Sequence, residues 1–275
     1  MHPNATFTWE MWRLGAAGKE TPFPNAQSTK YNEEKGMQYD NPAGRLLELL
    51  VAVKRHPKNA EAREVWRAVF GLPKSDLGPV LSAKLGKAML LSQQALDLLA
   101  EDHPELIEPP PSWAIQVSGA FQVHNVHGTI DTFANSISDD TIANVRTAAV
   151  LLNKGSNRKV LAKAELAEMK ESIEAVLKDV LNADDLATDL RHYLARALRK
   201  IVVAIDEYEL TGATPILESI EQAVGHVMVD AEYKSFLRDS ELGQRVFNAL
   251  QAASGIVTIA VGMPALTLAV QQLLK

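Results

Sequence analysis

From Val246 to Leu274 the chain reads VFNALQAASGIVTIAVGMPALTLAVQQLL, without one charged residue, between Arg245 and Lys275. Roughly 18 or more uncharged, mostly apolar residues suffice for a transmembrane helix. A stretch of this kind leaves two placements: in lipid, as an anchor or one wall of an oligomeric pore, or at the centre of a soluble helical bundle. Ile256, Val257, Ile259, Val261, Leu266, Leu268 and Val270 favour insertion, while Asn248, Gln251, Ser254, Thr258, Thr267, Gln271 and Gln272 dilute the signal. On a helix, Ser254, Thr258, Gly262, Ala265 and Ala269 share one stripe. Small residues at that spacing let two backbones approach closely, in a membrane as in a tight soluble core. Pro264 lacks an amide proton and opposes the carbonyl of Ala260, so a kink or break is expected near Gly262–Pro264. A break leaves two segments, each too short to span alone.

The remainder of the chain sets the context for that choice. Its 275 residues allow one large helical domain or two small ones, and 47% hydrophobic with 23% charged residues is a globular composition. A net charge of -6 supplies no electrostatic drive toward nucleic acid. With Cys at 0, disulfides, thiolate metal sites and cysteine nucleophiles are excluded, which fits a reducing cytoplasm. The N-terminus lacks a basic start followed by an apolar core, so no secretory signal is expected. A membrane location would then be reached from the inside, at the inner membrane.

Residues 1–41 read as a flexible polar arm, because Gly15 to Asp40 shows no apolar period. Trp9 and Trp12 share a face of a helical turn there and are candidates for docking onto the body or a partner. Helical spacing takes over at Asn41-Pro42, a cap followed by proline at the first helical position. Helices are expected from Pro42 to Pro57, from a cap at Asn59 to Gly71, and over about Pro79 to Glu101. The run Pro109-Pro110-Pro111 marks the expected boundary between a subdomain at 42–108 and a bundle at 112–230. Trp113 to Ile137 is read as helical because nothing else supplies a partner strand, and Asp139 opens the next helix. Leu161 to Leu181, Leu186 to Leu210 and Thr214-Pro215 onward carry regular apolar faces with short connections. They predict a three-helix antiparallel unit, followed by the apolar segment 231–275.

Chemistry is sparse. His124 and His127, with Asp131 four residues further on, are weak metal-ligand candidates if the stretch is helical, but three ligands without a second cluster are more commonly surface or capping residues. Asp206 and Glu207 are adjacent and point about 100° apart on a helix, so they do not converge for acid–base work. Arg191, Arg196, Arg199 and Lys200 form a basic patch expected to pair with the acidic face of Glu165–Glu174. Phosphate-binding glycine loops and the G-x-S-x-G elbow are missing, and Arg158 is not followed by a His at ribonuclease-motif spacing.

The sequence therefore predicts an all-α protein without catalytic residues, cofactor or nucleic-acid partner. It acts through self-association or a protein partner. In one expectation the C-terminal segment inserts into a membrane, with Ser254, Thr258, Gly262, Pro264, Ala265 and Ala269 driving assembly, as in pore-forming effectors of bacterial toxicity or antiviral defence. In the other it is a soluble helical scaffold or regulatory protein whose C-terminal segment is buried core. A metal-dependent enzyme built on His124, His127 and Asp131 is the third and weakest.

Overall fold

A computed structural model describes residues 39–262, apart from 77, 155 and 157. The described chain is all-helical, with one isolated bridge between Glu61 and Thr129 as its β element. The helices are α1 (Pro42–Lys54), α2 (Ala62–Val69), α3 (Pro79–Asp102), α4 (Ser112–Val123), α5 (Asp131–Ser136) and α6 (Asp139–Asn153), followed by α7 (Lys163–Leu181), α8 (Thr188–Asp206), α9 (Tyr208–Thr211), α10 (Thr214–Gly225), α11 (Ala231–Asp239) and α12 (Glu241–Val261). Trp9 and Trp12, like Pro264, Ala265 and Ala269, lie outside the described residues.

Local chemistry explains most of the boundaries. Asn41 accepts the Gly44 amide at 2.9 Å and Pro42 follows it, so α1 starts where cap and proline coincide. α2 starts later than Asn59 would place it, with Glu61 as cap, because residues 60–62 are tied to the loop at Gly128–Ile130. Its end is a Schellman turn: Leu72 donates to the Arg67 carbonyl at 2.8 Å while Gly71 takes φ +63°. Ser240 separates α11 from α12 by accepting the Gly243 amide at 2.8 Å and donating to the Phe236 carbonyl at 3.0 Å.

The stretch from Trp113 to Ile137 is not one helix. α4 stops at Val123, the chain runs irregularly through His124–Ile130, and α5 begins only at Asp131. The reason is tertiary. Ala62 donates to the Gly128 carbonyl and Ile130 to the Ala60 carbonyl, both at 2.9 Å, so this backbone is spent on the loop before α2.

The apolar residues divide into two cores. The first gathers α1 to α6, with Leu46, Leu50, Val53, Trp66, Leu91, Val117, Phe133 and Val145 at its centre, and one outlier from far along the chain, Leu210 of α9. The second gathers α7, α8, α10, α11 and α12 around Ile173, Val180, Leu194, Leu198, Ile201, Ile216, Val246 and Val257. The changeover falls between Ala149 and Leu161. Pro109–Pro111, expected as a boundary, connects two helices of the first core, since α3 and α4 both contribute to it.

Within the second core α7, α8 and α10 adjoin in chain order, and α12 packs on α7 and α10 as the fourth member. The basic patch does not pair with α7. Arg191 donates to the Ala183 carbonyl, Lys200 to Gln222 at 2.6 Å, and Arg196 stands over the Tyr193 ring. The observed α7–α8 pair has the opposite polarity, Lys170 to Asp206 at 2.7 Å. Leu190, Leu194, Leu198, Ile201 and Ile205 are the buried face of α8, so its arginines turn away from the α7 contact.

Candidate functional site

Three places in the molecule concentrate features that packing alone does not require. The first is helix α12. Gly243, Val246, Ala249, Leu250, Ala253, Ser254, Val257, Thr258 and Ala260 are buried along it. Ser254 and Thr258, two members of the small-residue stripe, thus face the protein's own core, and Thr258 Oγ1 returns its proton to the Ser254 carbonyl at 2.8 Å. That back-bond satisfies the hydroxyl inside the helix and leaves a nearly apolar surface for close packing. The helix ends at Val261, and Gly262 takes the left-handed conformation, φ +75°. Ile259, on the opposite side, is 64% exposed. No described helix is long and apolar enough to cross a membrane.

The second place is an aromatic nest around His124. Trp66 is fully buried and packs against Phe121, Phe133 and Phe70 with ring centroids 5.1–6.0 Å apart. Its indole Nε1–H donates to His124 Nε2 at 2.7 Å. An accepting Nε2 carries no proton, so the neutral ring is protonated at Nδ1, and that atom is buried without a partner among the described residues. Burial pushes the His124 pKa down, in keeping with a neutral imidazole. His124 sits at the end of α4, His127 in the loop and Asp131 at the start of α5, so the helical spacing that made them a ligand set is missing. Asp131 accepts from Thr132 N at 2.9 Å and from the Thr129 hydroxyl. Among the described residues no group of three or more His, Asp or Glu side chains converges as metal ligands. The arrangement fixes the α4–α5 loop against α2, with His124 as the polar partner that a buried tryptophan requires.

The third place lies where the two cores meet. Asp40 and Arg45, 5% and 7% exposed, form an ion pair at 2.5 Å. The second carboxylate oxygen of Asp40 accepts the Ala213 amide at 3.3 Å, which carries the pair across to the start of α10. Gly212 makes this approach possible. A Cβ there would stand 2.5 Å from Arg45 Nη1 and 2.7 Å from Asp40 Oδ1. Its φ of +76° and ψ of -170° also fall in a region open essentially to glycine alone. Beside it the Tyr208 hydroxyl accepts the buried Leu161 amide at 2.8 Å. Burial raises the Tyr208 pKa well above the usual tyrosine range, and the Asp40 carboxylate adds to the rise. Asn41, next to Asp40, donates to the Ala149 carbonyl of α6 at 3.0 Å, a bond within the first core that ties the start of α1 in place.

A small cavity of about 20 Å³, room for about one ordered water, opens at this seam. Asp40, Arg45, Arg158, Thr211, Gly212, Ala213, Thr214 and Val261 line it. The loop that carries Arg158 is held there because Lys159 donates to the Ala260 carbonyl, in the last turn of α12, at 2.8 Å. Burial draws the Arg45 pKa below its ordinary value and the neighbouring Arg158 cation pulls the same way, while Asp40 opposes both. Sequence reading singled out none of Asp40, Arg45 and Arg158 for this site. The one available sign was a charged residue, Arg45, directly before Leu46, Leu47, Leu49 and Leu50 in a helix with an apolar face.

The chain matches no known protein family, no curated protein and no solved structure.

Proposed function

We propose that this chain is a non-enzymatic helical scaffold or regulatory interaction protein that keeps its apolar C-terminal helix inside its own core. The observation that carries this reading is the burial of α12: nine of its residues are enclosed, Ser254 and Thr258 among them, and they pack on α7, α10 and α11. A helix displayed for insertion would instead offer its small stripe to a second copy. Self-association or binding of a protein partner then falls to the outer surface, where Ile259, Val203 and Met228 are exposed apolar side chains.

A second reading, membrane action by a released C-terminal segment, draws on one observation, the charge-free sequence that continues from Gly262 to Leu274. One experiment separates the two. The full chain is fractionated between cytosol and membrane, with alkaline carbonate extraction, beside a variant lacking residues 255–275. The scaffold reading expects a monodisperse cytosolic full-length protein and an unfolded or insoluble truncation, because Val257, Thr258 and Ala260 leave the core. Full-length protein retained in carbonate-washed membranes, with a soluble and cooperatively folded truncation, would overturn it in favour of insertion.

A further inference from the structure

We infer that the seam between the two cores is a binding site for one small oxyanion, of the phosphate or carboxylate class, held between Arg45 and Arg158 at the start of α10.

Four observations converge. Arg45 is 7% exposed and lines the cavity, and its Nε has no hydrogen-bond partner among the described residues. A buried guanidinium N–H left without an acceptor is costly, and an oxyanion is the ligand that satisfies several such donors together. Arg158 lines the same cavity, close enough for its charge to disfavour that of Arg45. Like charges facing one space are stabilised by an anion between them. The one carboxylate present, Asp40, is already engaged with Arg45 Nη1 and the Ala213 amide, so it does not neutralise Arg158 as well. Finally, α10, a twelve-residue helix, begins there with Ala213 at its cap position, without a side-chain cap, and with Thr214 in the wall. The positive end of its dipole adds to the two guanidinium groups.

The cavity also restricts the ligand. About 20 Å³ is the room of roughly one water, so one oxygen of the anionic group enters the cavity while the rest of the group stays at its open side, within reach of the exposed Arg158 side chain. Val261 in the wall and the Lys159–Ala260 bond place the ligand against the C-terminal end of α12.

The test is titration of the full-length protein with inorganic phosphate, followed by calorimetry and by thermal unfolding, against sodium chloride at matched ionic strength. Phosphate should bind saturably with one site per chain and raise the melting temperature, and chloride should do neither. Arg158→Ala removes an exposed side chain, so the fold persists, and phosphate affinity should fall about tenfold or more with the loss of one charge-assisted contact. Arg158→Lys should recover part of it, and Arg158→Glu should abolish it. Equal effects of chloride and phosphate, absence of a saturable heat, or unchanged phosphate affinity in a folded Arg158→Ala protein would each overturn the site.

Discussion

Replacing Gly212 by alanine tests the seam between the cores more sharply than any truncation, because a second glycine supplies the control. Gly71 and Gly212 both sit at helix ends with positive φ, +63° and +76°. Around Gly71 an added Cβ meets nothing within 4 Å, so Gly71→Ala carries only the backbone cost, about 1–2 kcal/mol for a left-handed alanine. At Gly212 the backbone region itself costs about 1–3 kcal/mol for a residue other than glycine. The Cβ also stands 2.5 Å from Arg45 Nη1 and displaces a buried pair whose outright loss costs about 3–5 kcal/mol. Because the pair is pushed aside rather than deleted, a total of about 3–5 kcal/mol is expected. At about 3 °C per kcal/mol for a protein of this size, Gly71→Ala should lower the melting temperature by about 3–6 °C and Gly212→Ala by about 9–15 °C. Differential scanning calorimetry of the two variants measures both. On an Asp40→Ala/Arg45→Ala background both contacts are gone, so Gly212→Ala should there cost only its backbone term, a coupling of about 1–3 kcal/mol in a mutant cycle that treats the ion pair as one unit. Equal losses at the two glycines, or additive losses in the cycle, would refute the close approach of Gly212 to the ion pair.

Other perturbations address α12 and the buried tyrosines. Leu250→Ala in α12 empties a site that is 1% exposed and should cost about 2–5 kcal/mol, whereas Ile259→Ala, on the exposed side, should change stability by less than about 0.5 kcal/mol in urea titrations. Tyr208→Phe orphans the Leu161 amide and should cost about 1–3 kcal/mol at neutral pH. The same variant bears on alkaline unfolding. Tyr208 and Tyr233 both have pKa values raised in the fold, chiefly by burial, so their stabilising share is complete below pH 10 and is lost as pH rises above it. Tyr208→Phe should therefore flatten the decline of stability above pH 10 by about 1.4 kcal/mol per pH unit, seen in urea titrations over that range.

Features written in a few adjacent residues were legible in the sequence. Asn41-Pro42 announces α1 and Thr214-Pro215 opens α10, because cap and proline act on their own turn. The periodic apolar faces of α7 and α8 announce two long helices for the same reason. What escaped is what distant backbone decides. The break after Val123 depends on amides at Ala62 and Ile130 pairing across to another loop, and a 3.6-residue period within 113–137 holds no record of it. The start of α12 is a further case: the charge-free run begins at Val246, whereas the N-cap Ser240 lies six residues earlier, between Asp239 and Glu241. The seam is the extreme case. Asp40 and Arg45 are neighbours in the chain, but the glycine and the amide that bury them lie at 212 and 213.

Leu210, among the described residues the one buried member of the first core from beyond Ala149, has a consequence for synthesis. The nascent chain exposes nearly all of that core once α6 has left the ribosome, yet its closing residue and the Ala213 amide that anchors Asp40 emerge roughly sixty residues later. At about 5–20 residues per second that is a delay of roughly 3–12 s. During it the N-terminal half presents an open apolar edge, the kind of surface that holding chaperones bind, and the seam is assembled last.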